Sequence, residues 1–180
     1  MHESDDVLRS TGLLTLGTRL RRLGERLQAE TQVVLGEAAT QVPVASHPLL
    51  NLLDRVAFSC ASRFSQRYAV TISVDQVVFK EPVNVGELVT FRASINHAGR
   101  TSMEVGIRVE AEEIRTGVRR HTNSCYFTMI AMDADGRPVE VPTLRVENDL
   151  ERKRHHAASV RRRLRREFEE EMRKAAEGEY

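Results

Sequence analysis

The feature that most restricts the fold of this chain is a series of four long segments in which apolar and polar residues alternate. The segments span residues 68–79, 87–97, 101–114 and 118–132. Alternation with a period of two is the pattern of β-strands that bury one face and expose the other. The connections EPVNVGE, AGR and RTG are short, so consecutive strands are predicted to lie antiparallel. The sequence therefore predicts an antiparallel sheet with one apolar face.

One long helix is predicted immediately before these strands, over residues 47–64. At 3.6 residues per turn, one of its faces is apolar and consists of Leu49, Leu53, Val56, Ala57, Cys60 and Phe64. Ser46 is placed to cap this helix, and Pro48 falls in its first turn, where a missing amide hydrogen is harmless. An apolar helix face and a matching sheet face must cover each other, which predicts a two-layer α+β domain. The open edges of such a sheet also indicate dimerisation.

One acid, Asp54, stands at the border of the apolar helix face, beside the small Ala57. A carboxylate in such a position costs free energy unless it is paired, hydrogen-bonded or used in chemistry. A solvated border residue, or an intrahelical partner of Arg55 or Arg63, is one interpretation, and a reacting carboxylate is the other. The helix alone leaves both open.

The segments on either side of this core differ in character. Residues 12–30 place leucines at intervals of three and four, which predicts an amphipathic helix weakened by two glycines. Residues 31–44 are rich in Val and Thr and predict a first strand. The chain is therefore divided into an N-terminal helical extension (residues 1–30), a core domain (31–147) and a charged C-terminal helical tail (148–180).

The charge of the C-terminal tail is strongly divided. Between Glu151 and Arg166 there are eight Lys and Arg and one acid, whereas Glu167, Glu169, Glu170 and Glu171 follow directly. Such a run is usually a solvated helix face. The alternative is a cationic lip for a phosphate-bearing ligand. Nucleic acid is the weaker candidate, because no aromatic residues interleave with the arginines.

The composition excludes several classes of protein. The chain has 27 Lys and Arg against 26 Asp and Glu, so no overall positive field favours nucleic acid. No stretch is apolar enough to cross a membrane and the first 30 residues lack a leader pattern, so we expect a cytoplasmic protein. Cys60 and Cys125 lie in apolar patterns and are predicted to be buried thiols. No metal motif is present, since the adjacent His155 and His156 point apart on a helix.

Four segments of the chain together form a pattern that is specific to one family of proteins. They are LLNLLDRVAFSCASRFS, ISVDQVVFKEPVNVGELVTF, NHAGRTSMEVGIRVEAE and RHTNSCYFTMIAMDADGRPVEVP. In residues 46–144 the chain resembles the hotdog-fold acyl-CoA thioesterases, in particular the acyl-CoA hydrolases of the brain and cytosolic type and their one-domain bacterial relatives. The resemblance implies a hotdog fold, in which a curved antiparallel sheet wraps a long helix. It also implies a homo-oligomer, in which dimers join two sheets edge to edge and pair again into trimers of dimers or tetramers.

The resemblance also implies an activity and a role for Asp54. The helix motif of the family carries an acid shortly before an alanine, here LLDRVA, and that acid lies at the thioester as general base or nucleophile. The implied reaction is hydrolysis of acyl-CoA to CoA and a free carboxylic acid, with Asp54 activating water. Backbone amides around residues 47–50 would hold the developing oxyanion. No metal or redox cofactor is implied, because coenzyme A enters only as part of the substrate.

The ligand contacts implied by the resemblance lie in other segments. Arg100, Thr101 and Ser102 are expected near the pantetheine and phosphates of CoA, since a Gly-Arg turn with hydroxyl groups suits that task. Arg63, near the helix end, is expected to meet a phosphate. Alternatives stay open, because Thr101 and Ser102 could cap the turn and Arg63 could complement the helix dipole.

The chain departs from the family in the loop that precedes the helix. Family members carry an asparagine and then a His-Gly-Gly run, whereas this chain has Pro43 in the asparagine position and Ala45, Ser46 and His47 in place of the run. Glycine permits backbone geometry that Ser and His resist, and proline removes a donor. Three alternatives follow: catalysis in which His47 or Ser46 substitutes for the lost groups, activity only beside a second hotdog chain, or a weak or silent subunit that binds acyl-CoA without turnover.

Overall fold

A computed structural model describes residues 13–23, 26–35, 46–75 and 77–178, and for residues before Leu49 it describes the backbone alone. The chain divides into two compact units, Met1–Leu144 and Arg145–Tyr180. The first unit contains, in chain order, β1 (Leu13–Leu23), β2 (Arg26–Leu35), α1 (Ser46–Ser65), β3 (Tyr68–Val74), β4 (Glu87–Ala98), β5 (Ser102–Glu113) and β6 (Arg119–Met132). The second unit contains one helix, α2 (Asp149–Glu177).

The six strands of the first unit form one antiparallel sheet in the order β1-β2-β4-β5-β6-β3. The four strands after α1 form within the segments that alternation predicts, and the short turns make β4, β5 and β6 consecutive neighbours. α1 packs on this sheet and contacts β2, β3, β4, β5 and β6. One long helix against an antiparallel sheet is the predicted α+β hotdog architecture, and the predicted fold class is therefore confirmed.

The prediction of an N-terminal helix over residues 12–30 is wrong. The backbone forms a hairpin of β1 and β2, whose pairs run from Leu13↔Leu35 to Leu23↔Arg26. β2 also pairs with β4, which lies far away in the sequence, and it crosses the predicted boundary at residue 30. Leucine spacing reports only local preference, and hydrogen bonding to β4 overrides it in a segment that glycine already weakens. The predicted first strand at 31–44 is present in part as the end of β2, and residues 36–45 lie outside the described residues.

The apolar face predicted for α1 forms the core of the first unit. All six of its residues are buried, and they pack with the core-facing residues of the sheet, among them Phe91, Val105 and Phe127. The two cysteines, Cys60 and Cys125, are buried and free, as predicted. Burial raises the pKa of each of these two thiols to about 12. Both stay protonated at neutral pH, which makes them poor nucleophiles.

On the face of the sheet opposite α1, an asparagine side chain lies over a glycine where β4 meets β5. Asn96 is buried, accepts a hydrogen bond from the Ser94 hydroxyl at 3.0 Å and donates one to Glu104 Oε1 at 3.4 Å. A Cβ atom added to Gly106 would stand 2.2 Å from Asn96 Nδ2. A side chain at position 106 would therefore displace the Asn96 amide from its place above β5.

A buried ion pair joins the start of β4 to the start of β6. Arg120 Nη2 donates to the two carboxylate oxygens of Glu87 at 2.7 and 2.8 Å and to the Pro82 carbonyl at 3.0 Å. The backbone N–H of Asn84 donates to Glu87 Oε2 at 2.8 Å, and the Asn84 side chain donates to Oε1 at 3.3 Å. The Glu87 carboxylate thereby fastens both Arg120 and the connection before β4 to the sheet.

The second unit is a charged helix whose N-terminus is capped by Asn148. The Asn148 side chain accepts from the Glu151 N–H at 3.0 Å and donates to Glu151 Oε1 at 2.8 Å, which is a reciprocal capping arrangement. Within the described residues, neither this helix nor α1 has the length and apolarity that a membrane crossing requires.

Candidate active site

Asp54 lies on the exposed border of α1, and among the described residues one neutral donor holds its carboxylate. The hydroxyl of Thr71, on β3, donates to Asp54 Oδ1 at 2.7 Å. The same hydroxyl oxygen lies 3.1 Å from the Met129 sulfur on β6. A carboxylate has about four acceptor positions, so Asp54 retains capacity for water or substrate. Among the residues that the structure describes, Asp54 forms no ion pair with Arg55 or Arg63.

Apolar side chains surround this carboxylate. Leu50 lies one turn before Asp54 and Phe58 one turn after it, on the same line along α1, and both are exposed. The ring of Tyr68, the first residue of β3, contacts the Phe58 ring edge-on, with the two ring centroids 5.3 Å apart. We name Leu50, Phe58 and Tyr68 the apolar strip. Asp54 itself is exposed, and the apolar strip beside it suits an apolar ligand.

β3 turns different residues towards α1 and towards solvent. Ala69 is buried and Thr71 reaches Asp54, whereas Ile72 and Val74 are 55% and 44% exposed. The pairing of β3 with β6 shifts register between Thr71 and Ser73, which places a bulge at this point. In the described sheet, β3 is an edge strand, so these apolar residues lie beside an open edge.

The start of α1 supplies backbone amides close to Asp54. In a helix that begins at Ser46, the first N–H groups have no intrahelical acceptor. Pro48 carries no N–H, so the first-turn amides that lack an intrahelical acceptor are those of Ser46, His47 and Leu49. His47 and Leu49 precede Asp54 by seven and five residues, or roughly 8–10 Å along the helix axis.

Two predicted catalytic residues, Ser46 and His47, form the first turn of α1, and their side chains lie outside the described residues. The loop positions Pro43 and Ala45, where the chain departs from the family, are likewise outside them. The roles predicted for Ser46 and His47 therefore stay predictions.

The structure brings the predicted CoA-binding turn to the end of the sheet that carries Thr71. Ser102 pairs with Ile130 of β6, and β3 pairs with Ile130 from the other side. Two strand spacings separate Ser102 from β3, which is roughly 10 Å. Arg100 is exposed in this turn, and Thr101 and Ser102 are half-buried. The contacts of Arg100, Thr101 and Ser102 with CoA stay a prediction.

Arg63 lies elsewhere. It is exposed in the last turn of α1, nine residues after Asp54, which is roughly 13 Å along the helix axis. The structure does not bring it beside the carboxylate, and its position at the helix end also fits the alternative in which it complements the helix dipole.

Thr71 is the site residue that reasoning from the sequence missed. It stands in the strand YAVTISV, where threonine is an ordinary strand residue, and it meets Asp54 across 17 positions of sequence. The available signal was the polar residue on the side of the strand opposite Val70, Ile72 and Val74. Within the described part of the chain, no three His, Cys, Asp or Glu side chains gather as a metal site requires.

One long helix packed on an antiparallel sheet defines the hotdog class of proteins, and in this chain that helix carries Asp54 beside the edge strand β3. A family model described as the thioesterase superfamily matches residues 49–118. The Helicobacter pylori protein VdlD is 49% identical over 117 residues, which cover 65% of this chain and 67% of that protein. The chain belongs to the thioesterase superfamily, among the hotdog-fold acyl-CoA thioesterases.

Other relatives agree with this assignment. A protein of Bacillus subtilis named as an uncharacterized acyl-CoA thioester hydrolase, YkhA, is 33% identical over 113 residues, covering 63% of this chain and 66% of that protein. The crystal structure of an acyl-CoA hydrolase from Bacillus cereus superposes with a TM-score of 0.76 at 28% identity, covering 83% of this chain and 92% of the other. A structure described as an apo-hexameric acyl-CoA thioesterase superposes with a TM-score of 0.69 at 26% identity, covering 88% and 93%.

Proposed function

We propose that the protein hydrolyses the thioester of acyl-CoA to CoA and a free carboxylic acid, with Asp54 as the general base. The observation that carries this proposal is the Asp54 carboxylate itself. One of its oxygens is fixed by the Thr71 hydroxyl at 2.7 Å, and the group stands exposed between Leu50 and Phe58. Membership of the family supports acyl-CoA hydrolysis in general, and the role of the acid is the finer part of the proposal.

The proposed reaction begins with a water molecule that donates a hydrogen bond to the free oxygen of Asp54. Asp54 takes a proton from this water as its oxygen attacks the thioester carbonyl carbon. The amides of His47 and Leu49 stabilise the oxyanion of the tetrahedral intermediate. Its collapse breaks the C–S bond, the CoA thiolate leaves, and the proton held by Asp54 returns to sulfur. No cofactor takes part, because water is the only co-reactant.

Substrate recognition is proposed to use two surfaces at the same end of the sheet. The apolar strip is exposed beside Asp54 and would contact the acyl chain. Arg100, with Thr101 and Ser102, would contact the phosphates and pantetheine of CoA, since an exposed guanidinium is a bidentate phosphate donor. The length of the acyl chain that is preferred depends on cavity shape.

We also propose that the enzyme is a homo-oligomer that functions in the cytoplasm. β3 is an edge strand of the described sheet, and its exposed Ile72 and Val74 are apolar. An open, apolar edge favours pairing with a second sheet. Hexameric relatives of this fold support oligomerisation.

The second candidate function is a weak or silent subunit that binds acyl-CoA or pairs with another hotdog chain. The observation that favours it is the altered loop before α1, in which Pro43 stands where the family has asparagine and Ala45, Ser46 and His47 replace His-Gly-Gly. A second hotdog chain that carries the asparagine would then complete the site.

The test is steady-state thiol release from short, medium and long acyl-CoA by the wild type and by Asp54→Asn. We expect Asp54→Asn to lose at least about a hundredfold in kcat, because general bases contribute on that order. The matched control is Asp135→Asn, which removes an exposed carboxylate from the turn after β6 and is expected to keep wild-type rates. His47→Ala and Ser46→Ala, assayed in parallel, report whether those side chains substitute for the lost loop groups.

If the wild type binds acyl-CoA in calorimetry but releases no thiol above the uncatalysed rate, the proposal of a hydrolase is wrong and the alternative of a binding subunit stands. Turnover that appears only after a second hotdog chain is added would identify the paired form. Equal rates for Asp54→Asn and Asp135→Asn would instead retain an enzyme and reject Asp54 as its base.

A further inference from the structure

The exposed side of α2 carries a row of large apolar residues. Leu164, Phe168 and Met172 follow one another at intervals of four, so they share one face of the helix. They are 52%, 66% and 54% exposed. Contiguous exposed apolar residues rimmed by charge mark interaction surfaces more often than they mark a plain solvated helix.

The charges around this row are arranged symmetrically about Arg166. Residues 161–171 read RRRLRREFEEE. Positions equally distant from Arg166 carry opposite charges in four cases, and in the remaining case both are apolar, Leu164 and Phe168. If the segment is reversed and the sign of each flanking charge is exchanged, the same pattern results. A segment with this property is complementary to an antiparallel copy of itself.

This order of charges does not stabilise the isolated helix. Basic residues in the first half and acidic residues in the second half oppose the helix macrodipole, except at the two ends. An intrahelical pair occurs between Arg163 and Glu167 at 3.2 Å, in the arginine-before-glutamate order, which stabilises helices less than the reverse order. Partial burial lowers the pKa of Arg162, and the charges of Arg166 and Arg165 act in the same direction, so the positive charges repel one another.

We propose that this face of α2 is a docking surface for α2 of a second copy of the chain, in antiparallel orientation about Arg166. Leu164 of one copy then lies at the level of Phe168 of the other. The arginines at 161–163 lie at the level of the glutamates at 169–171, and burial of the apolar row is accompanied by attraction between the two segments. A parallel pair would place like charges at each level and is therefore disfavoured.

The acidic residues also argue against an anionic membrane as the occupant. Basic amphipathic helices that bind such membranes surround their apolar face with Lys and Arg. Here the most exposed apolar residue, Phe168, lies between Glu167 and Glu169, which an anionic surface would repel. The surface is thus matched to a partner that presents both signs of charge, as a second copy does.

The test uses cysteine cross-linking in the full-length protein. Phe168→Cys places a thiol on the apolar row, whereas Glu170→Cys places one on the opposite side of the helix, 200° away at 100° per residue. Cys60 and Cys125 are buried and remain protonated, with pKa values of about 12, so they do not compete. With a short bismaleimide, we expect a covalent dimer from Phe168→Cys and little from Glu170→Cys.

Charge exchange then separates this contact from any other oligomer interface. Into the Phe168→Cys protein we introduce either Arg161→Glu with Arg165→Glu, or Glu167→Lys with Glu171→Lys, because these residues flank the apolar row and face one another at positions equally distant from Arg166. Each variant alone is expected to lose at least about tenfold in cross-linking rate, and a mixture of the two is expected to restore it, because the exchanged segments attract. Circular dichroism and thiol release report that each variant remains folded.

Equal cross-linking of Phe168→Cys and Glu170→Cys, or a mixture that stays as slow as its components, would overturn the antiparallel contact. Cross-linking that requires vesicles of anionic lipid would overturn it in favour of membrane docking. The cross-linking and circular dichroism measurements use no acyl-CoA, so each of these outcomes holds whether or not the protein hydrolyses thioesters.

Discussion

Two carboxylates of the first unit, Asp54 and Glu87, are held in opposite ways. Glu87 is buried, and each of its oxygens accepts hydrogen bonds from Arg120 and from Asn84. Asp54 is exposed, and within the described residues it accepts one hydrogen bond, from the neutral hydroxyl of Thr71. The acceptor positions of Glu87 are filled by the protein, whereas the described residues leave most of those of Asp54 open.

This difference separates a structural acid from the acid that we propose as the general base. Proton transfer requires a lone pair that can reach the reacting water, so a carboxylate already filled by donors is a poor base. Arg120 also holds the Glu87 carboxylate in a direct ion pair. The Thr71 hydroxyl fixes the direction of the Asp54 carboxylate and leaves lone pairs that can accept from a water molecule. The position of a carboxylate in the fold therefore matters less than how its oxygens are occupied.

Among the variants that test this difference between Glu87 and Asp54, Glu87→Gln is expected to have the largest effect. The change leaves Arg120 without its anionic partner at a site where the glutamate is 8% exposed and the arginine 29%. We expect a loss of about 3 kcal/mol in the free energy of unfolding, at the lower end for a broken buried pair because Arg120 retains some contact with water. Urea titration followed by circular dichroism measures it.

The control for Glu87→Gln is Glu81→Gln, an exposed glutamate in the same connection, which is expected to change stability by less than about 0.5 kcal/mol. Thiol release per folded molecule should equal that of the wild type for both variants. A tenfold loss of kcat in folded Glu87→Gln would remove the distinction between the two acids.

A smaller effect is expected from Thr71→Val, which keeps the shape of the side chain and removes the donor to Asp54. A hydrogen bond to a charged group contributes about 1.5–3 kcal/mol, and the exposure of Asp54 places this one at or below the lower end. We therefore expect kcat to fall about tenfold. Thr71→Ser retains the hydroxyl and should recover most of the rate. Equal rates for the valine and serine variants would show that the hydroxyl does not position the acid.

The smallest effect is expected at a third carboxylate, Glu110, on the solvent-facing side of β5. Its hydrogen bond from Arg108 Nε, at 2.8 Å, lowers its pKa below the usual value, and the charge of Arg92 acts in the same direction. The resulting stabilisation is present above the usual glutamate pKa of about 4.3 and is lost as pH falls through the lowered value.

At neutral pH, the free energy of unfolding of Glu110→Gln is accordingly expected to be lower than that of the wild type by less than about 1 kcal/mol. The effect is small because both arginines are about half exposed. The difference should vanish at acid pH below the lowered pKa. Urea titrations of both proteins across this range measure it, and a gap that widens on acidification would contradict the assigned sign.

The helix and the four strands after it were predictable because their periodicity is local and strong. The apolar residues of α1 recur with the helical period over five turns, and the polar turns separate the strands clearly. The hairpin of β1 and β2 was not predictable in this way. Its leucines also match a helical period, and what decides between the two structures is the pairing of β2 with β4, for example Gln28 with Ser94.

Of the two residues that meet at the site, the sequence indicated Asp54 and did not indicate Thr71. Asp54 attracts attention because a charge at the border of an apolar face has an energetic cost that local sequence reveals. Thr71 carries no such cost in a strand, and only the packing of α1 on β3 brings its hydroxyl to the acid. A hydrogen bond between residues of two separate elements cannot be read from the periodicity of either element, because only the fold brings the two residues together.

The glycine beneath Asn96 has a consequence for how the sheet assembles. Ser94 stands opposite Gly106 in the pairing of β4 with β5, and the Asn96 amide occupies the space that a Cβ at position 106 would need. A slip of two residues, which keeps the apolar side chains on the core face, would bring Glu104 or Arg108 under that amide. Gly106 therefore helps to select the register of the β4–β5 hairpin. Among the alignments that keep the apolar side chains on the core face, the observed one places a residue without a side chain under the Asn96 amide.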